Sequence, residues 1–414
     1  MKILLKNISR LVQAETEPQG VRKGAQMQRL PLLENAWLLI KDNVIEDFGT
    51  METCPDNAGI IIGAEGKSVF PCWCDAHTHL VYAGSREQEF VARIHGMSYE
   101  EIAKKGGGIL NSAKRLNETS EQALIEQALP RLKEIMLCGT GAVEIKSGYG
   151  LTVEGELKML RVIKKLKTLS PLTIKATFLG AHAIPEKFKK DRAGYIRLLT
   201  KEMLPAIKEE RLAEFIDVFC DKGFFTPEET ETILAAGAAA GLKPKIHANE
   251  LGLTGGVQAG VKHNAISVDH LEHMEKEEME ALAASNTIPT LLPSTAFFLG
   301  LNYAPARKMI EAGLPLALAS DYNPGSSPSG NMPFVIALAC IKMKMTPEEA
   351  INAATVNGAH AMLAHNELGS IAKGKKANVF ITKKIPSHAY LPYSFGSNLI
   401  ETVILNGKVQ TDEG

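Results

Sequence analysis

Neither charge dominates this chain of 414 residues: 46 lysines and arginines stand against 47 acids, a formal net charge of −1. With no run of like charge either, the sequence excludes an electrostatic hold on nucleic acid or on an acidic membrane surface. Cysteines are few, namely Cys54, Cys72, Cys74, Cys138, Cys220 and Cys340, with no Cys-x-x-Cys pair and no framework spacing. That argues against a disulfide scaffold and fits a reducing cytoplasm. No stretch approaches the about 20 apolar residues that span a bilayer, and the first apolar run, Ile3-Leu4-Leu5, is closed by Lys6, far short of a signal-peptide core. Nucleotide-binding loops are absent too. There is no Gly-x-Gly-x-x-Gly and no Walker sequence, and Gly106-Gly107-Gly108 lacks the preceding strand that a dinucleotide site requires, so it reads as a flexible rim loop. The expected partner is a small molecule, with no nucleic acid and no membrane.

What is present is length enough for more than one core. Strand-like segments crowd both ends: residues 2–6, 36–40, the hairpin return 43–49 and 60–62 at the start, then 378–382 and 400–409 at the finish. Asn406-Gly407 is a two-residue hairpin turn in that last segment. Strand-rich termini around an unlike middle predict one small β domain, a β-sandwich built from residues 1–70 and 366–414, with two independent extensions as the alternative. Residues 71–365 instead alternate strand and helix. Helices are expected over 121–137, 153–168 and 192–210, and strands over 141–146, 173–180, 215–220, 243–247, 265–269, 287–292 and 316–320. Thr226-Pro227-Glu228-Glu229 opens a further helix with an N-cap, a first-turn proline and a capping-box acid, and that helix ends near Gly241.

This alternation means a parallel sheet. Nearly every strand ends in a chemically capable group: His77 and His79, Lys146, His182, Asp221, His247, His270 and Asp321. An open sheet collects ligand residues at one switch point, whereas a closed barrel gathers them around its whole rim. The reading is therefore a (β/α)8 TIM barrel.

The chain is organised around residues 69–79, where an apolar run ends in His77-Thr78-His79. Alternation along a strand puts both imidazoles on one face, within reach of one metal ion. Alone, such a pair could equally decorate a surface turn. His247 and Asp321 also end apolar strands, and an unpaired carboxylate in Asp321's position is unfavourable. A structural histidine and a helix N-cap are their alternatives. Three histidines and a carboxylate suit zinc or iron. A metal that acidifies water needs a base beside it, and Glu250, in the loop after His247, is the candidate, a surface acid being its alternative. His270 follows its strand directly and should face the rim to hydrogen-bond a substrate carbonyl or the water. Asp269 and His273 are expected to pack or to support.

With these marks the sequence resembles the amidohydrolase superfamily over essentially its full length. The broad signature is His77-x-His79 with His247, His270 and Asp321. The longer strings 75–86, 144–151, 178–182 and 320–325 are similar to the branch that opens the imidazolone ring in histidine degradation. The resemblance implies one Zn2+ or Fe2+/Fe3+ per subunit on His77, His79, His247 and Asp321, in a cytoplasmic homodimer. It implies hydrolysis of the C–N bond of a cyclic amide bearing a propionate, with Glu250 as base, His270 stabilising the tetrahedral species, and Glu250 or Asp321 protonating the leaving nitrogen. Arg86 would hold the propionate through two parallel hydrogen bonds. Tyr149 and His182 would contact propionate and ring, and Asn323, Gly325 and Ser326 would line the last loop. Gly148 and Gly150 suggest a tight loop close to ligand. A lysine at a strand end bridges two metals in binuclear relatives; Lys146 is expected not to bind metal. The second reading is a purine or pyrimidine deaminase or cyclic amidase of the same superfamily. A silent scaffold usually has gaps in its metal set, whereas here every ligand and the base are present, and a zinc store would need neither Glu250 nor Arg86.

Overall fold

The computed structural model describes residues 1–56, 58–97, 101 and 107–411. Gly106 of the expected glycine loop lies outside them. Eight parallel strands form the barrel: β1 (Trp73–Thr78), β2 (Thr140–Lys146), β3 (Thr173–Ala181), β4 (Phe215–Cys220), β5 (Lys243–Pro244 continuing as Ile246–Ala248), β6 (Ser267–His270), β7 (Ile288–Leu291) and β8 (Ala317–Leu318). Each pairs with the next in sequence order. The circle closes beyond β8, where Asp321 N donates to His77 O at 3.0 Å and His79 N to Tyr322 O at 2.9 Å. Closure therefore brings the two ends of the signature, His77 to His79 and Asp321, into adjacent backbone. Strands β1, β2, β4, β6 and β7 are buried along their whole length, as expected for a sheet covered by helices outside and packed within.

The other strands, Lys2–Val12, Leu32–Lys41, Val44–Thr50, Ile60–Gly63, Lys67–Pro71, Val379–Lys384, Ile400–Leu405 and Lys408–Gln410, make one mixed sheet and a small β-sandwich domain. The termini meet where Val379–Lys384 pairs antiparallel with Lys67–Pro71. Ile3, Leu5, Ile8, Leu38, Val69, Ile381 and Ile404 fill that core. At the seam with the barrel, the Phe70 and Phe380 rings stack with centroids 5.1 Å apart and Trp73 lies 4.8 Å from Phe380. Asn406 and Gly407, at φ 49° and 69°, form the expected hairpin turn between Leu405 and Lys408.

Several expected bounds shift by a few residues, among them 36–40, which is Leu32–Lys41, 378–382, which is Val379–Lys384, and 265–269, which is Ser267–His270. The first strand runs on to Val12, because a bulge between Leu5 and Ile8 with Asn7 at φ 57° interrupts the alternation without ending the pairing. The helix expected over 192–210 is helical throughout but widens to a π turn at Leu199–Met203, next to Pro205, whose missing N–H removes a helical bond. The last barrel strand has two residues, Ala319 N still reaching Leu291 O at 3.1 Å, and the chain turns at the rim at Asp321, φ 53°. The capping box is formed as expected: Thr226 Oγ1 accepts from Glu229 N and Glu229 Oε2 from Thr226 N. No helix among the described residues is long and apolar enough to cross a membrane.

Candidate metal centre and substrate cavity

Strand β1 delivers His77 and His79 to the same side, and β5 delivers His247 opposite them. Ligand atoms of these three histidines all lie within 4.8 Å of one another, and all three residues are buried. His77 Nε2 and His79 Nε2 are 3.3 Å apart, and Asp321 Oδ1 is 3.5 and 3.6 Å from them. Asp321 is held in this orientation by Thr295, whose hydroxyl donates to its other oxygen at 2.5 Å. Burial, reinforced by Lys146 and by the neighbouring imidazoles, holds all three histidines well below their usual pKa, hence neutral.

For His77 and His247 the outer nitrogen fixes which tautomer is present. His77 Nδ1 is 2.6 Å from Asp269 Oδ2 and His247 Nδ1 is 3.0 Å from Asp217 Oδ1. A carboxylate accepts, so each Nδ1 carries the proton and each Nε2 presents a lone pair to the centre. His247 Nε2 is buried with no hydrogen-bond partner. Converging buried lone pairs repel each other unless a cation lies among them, and the donor set of imidazoles and one carboxylate suits zinc or iron. The site residues present thus fit one metal ion.

Deeper in the barrel, Lys146 Nζ donates to Glu144 Oε1 and Asp217 Oδ2, both at 2.7 Å, and lies 3.3 Å from Asp269 Oδ2. Burial alone would discharge this lysine, but Asp217, Glu144 and Asp269 together raise its pKa above the ordinary value. Committed as an ammonium to three carboxylates, it has no lone pair for a metal. Lys245 Nζ binds the other oxygen of Glu144 and Ala76 O, and Thr177 and Ser267 hydroxyls complete the set.

Above the histidines opens a cavity of about 430 Å³. Glu250 and His270 stand at its floor, with Glu250 Oε2 3.7 Å from His270 Nε2. Burial is the main cause that raises the Glu250 carboxyl to about 7, with Glu272, Asp321 and Asp221 adding to it against the pull of His270. Burial works against the His270 charge, but Glu250, Glu272 and Asp321 outweigh it and push that imidazole up to about 10. The Glu250 loop is pinned by Asp221, whose Oδ2 accepts from Glu250 N at 2.8 Å and Leu251 N at 3.0 Å. Asn249, His270 and Asp321 all have positive φ, at 60°, 84° and 53°, so backbone strain gathers at this rim.

His182 stacks on His79 with centroids 5.1 Å apart, and Tyr149 is 5.6 Å from His182. Burial lowers His182 to about 4, so it is neutral, and its Nδ1 meets Gly148 O at 3.2 Å. Gly148, at φ 109°, has no room for a side chain: a Cβ there would come within 2.8 Å of the His182 ring. On the far wall Arg86 Nη2 lies 2.5 Å from Glu89 Oε2 and the guanidinium packs against Gly325. Ser326 Oγ is 3.4 Å from Asp321 Oδ2. The Asn323 amide is engaged with its own loop: Oδ1 accepts from Gly325 N and Ser326 N, both at 2.8 Å. His273 is exposed and stands apart, whereas Asp269 supports a ligand histidine.

Sequence reading missed Asp217, Glu144, Lys245, Thr295, Glu272 and Arg93. Arg93 also lines the cavity and donates to Gly325 O at 3.1 Å. A charged residue two positions from another within a buried strand, as in Glu144 and Lys146, was a usable sign of an inward-facing pair.

Comparisons with known proteins agree with this geometry. The Amidohydrolase family pattern matches residues 186–410. An imidazolonepropionase of Flavobacterium johnsoniae is 61% identical over 410 residues, covering 99% of this chain and 100% of that protein. One from Geobacillus kaustophilus is 44% identical over 400 residues, covering 94% and 93%. Among solved structures, a triazine hydrolase variant matches with TM-score 0.73 at 16% identity, covering 99% of this chain and 94% of that one. An adenosine deaminase from Xanthomonas campestris with bound zinc matches with TM-score 0.69 at 15% identity, covering 98% and 92%. At such identities these two structures speak for the fold alone.

Proposed function

Because the chain belongs to the imidazolonepropionase family of the amidohydrolase superfamily, we propose that it hydrolyses the cyclic amide of 4-imidazolone-5-propanoate to N-formimidoyl-L-glutamate. The carbonyl carbon gains hydroxyl, the C–N bond breaks, and the ring nitrogen gains a proton. The observation that supports this most is the convergence of two imidazole nitrogens 3.3 Å apart with Asp321 Oδ1 within 3.6 Å of both, on the floor of the cavity that holds Glu250 and His270.

Residues His77, His79, His247 and Asp321 would hold one zinc or iron ion, which supplies an acidified water and a polarised carbonyl when bound. Glu250 is the base in this reading: its carboxyl, raised to about 7, accepts a proton near neutral pH. His270, protonated below about 10, donates from Nε2 to the oxygen on which charge develops. Glu250, or Asp321, then returns the proton to the departing nitrogen. Arg86 would receive the propionate, with Tyr149 and His182 against the ring and the 323–326 loop closing the far side. Asn323 would act by shaping that loop, since its own amide bonds Gly325 N and Ser326 N. We place the enzyme in the cytoplasm as a homodimer.

An ultraviolet assay following loss of the imidazolone chromophore tests the reading. Turnover that is abolished by a chelator and restored by added zinc or iron is expected. Absence of turnover in metal-replete protein would overturn it.

A further inference from the structure

The metal centre is not symmetric in its support. His77 and His247 each lean on a carboxylate, Asp269 and Asp217, and those two carboxylates share one cation, Lys146. His79 Nδ1, by contrast, is buried with no hydrogen-bond partner, and its ring rests on His182. Lys146 itself is fully buried and so are Asp217 and Asp269. Replacing the cation by an apolar group would leave two carboxylates facing each other across the barrel without it, free to turn away from the imidazoles they orient.

We propose that Lys146 is the shared positioning residue of the metal centre: its ammonium holds Asp217 and Asp269 so that His247 and His77 both keep Nδ1–H outward and Nε2 turned to the ion. This rests on the metal site of the proposed function and extends it to a group that touches neither metal nor substrate. Its consequence is coupling. A single buried lysine sets the orientation of two ligands delivered by different strands, β1 and β5, so its loss weakens both together. Glu144 anchors the lysine from a third side at 2.7 Å, with Lys245 and Thr177 fixing Glu144 in turn.

The test compares Lys146→Met with wild type and with Thr177→Val, which removes a hydroxyl from the same network while leaving Asp217 and Asp269 paired. Zinc affinity is measured by competition with a chromophoric chelator, and the visible absorption of the cobalt-substituted protein is recorded beside it. Lys146→Met is expected to weaken zinc binding about 10–100-fold, the usual effect of losing support behind a metal ligand, and to alter the cobalt bands. Thr177→Val should lower thermal stability with neither change. A folded Lys146→Met that binds zinc as wild type and keeps the cobalt spectrum overturns the proposal, because a purely structural role moves stability alone. Should Lys146→Met not fold, the near-isosteric Asp217→Asn and Asp269→Asn decide: each can present an amide donor to Nδ1 and force the wrong tautomer. Unchanged zinc affinity in both overturns the proposal. Wild-type protein that retains no zinc or iron would instead remove the metal reading itself, so the two failures are distinct.

Discussion

Two layers of ionisable side chains fill the barrel, and they obey opposite rules. In the deeper layer two ammoniums, Lys146 and Lys245, face three carboxylates, Glu144, Asp217 and Asp269, with hydroxyls of Thr177 and Ser267 completing their bonds. In the layer at the rim, Nε2 of His247 has no partner, the nitrogens of His77 and His79 face each other, and Glu250 and His270 stand 3.7 Å apart, beyond hydrogen-bond length. The lower layer is wholly removed from water and the upper nearly so, Glu250 being the most open at 12% of its side chain, so burial alone does not separate them. What separates them is satisfaction: every charge of the lower layer is paired, with Asp269 and Asp217 also bracing His77 and His247 above, while the upper leaves unpaired capacity of the kind an ion, a water and a substrate would fill.

The upper layer is the more sensitive of the two to a single substitution. Glu250→Gln keeps shape and every proposed metal ligand but removes the proposed proton acceptor, so turnover should fall by about 10²–10⁴-fold. Metal content by atomic absorption should match wild type, and near-native turnover would take Glu250 out of the role. Breaking the lower layer should act on the other quantity. Glu144→Ala strands Lys245 beside Ala76 O and strips one partner from Lys146, both fully buried. Uncompensated buried charge costs roughly 3–5 kcal/mol, to be read as a lower urea midpoint at unchanged slope. A midpoint equal to wild type would mean the lower layer is dispensable.

The rim was far more legible in the sequence than the layer beneath it. His77, His79, His247, His270 and Asp321 all end apolar strands, and a polar group in that place advertises itself. Asp217 lies inside the run Phe215–Cys220 and Thr295 sits at the start of helix Pro293–Leu299, where each looks like an ordinary strand or helix residue. Their roles depend on which strand neighbours which across the closed barrel, and that is tertiary information. The same holds for Arg93, whose bond to Gly325 O joins residues far apart in the chain. Boundaries failed for local reasons instead: the bulge at Asn7 and the π turn beside Pro205 each break a periodicity without breaking the element.

In the proposed reading the rim also divides chemistry from grip. Arg86→Ala leaves Glu250, His270 and the proposed metal ligands in place, so it should raise KM with little change in kcat. Charge-assisted bonds to a carboxylate are worth about 1.5–3 kcal/mol, or roughly 10–150-fold in KM. A KM equal to that of wild type would show the carboxylate is held elsewhere.

The smallest effect concerns protons, and its sign follows from the environment of each group. As the proposed base Glu250 must be a carboxylate, and burial has raised its pKa to about 7, so kcat/KM should climb about tenfold per pH unit below that value and level off above it. A divalent cation nearby favours the ionised form and can only draw this limb to lower pH. His270, as the proposed donor, is held up to about 10 by its carboxylate neighbours, and a cation nearby disfavours its charge, so a falling limb is expected at or below that value. Glu250→Gln should erase the acid limb and draw the alkaline one to lower pH, because the Glu250 charge is the first of those holding His270 up. If the acid limb survives that substitution, it belongs to another group, and the rim owes its unsatisfied proton capacity to something other than Glu250.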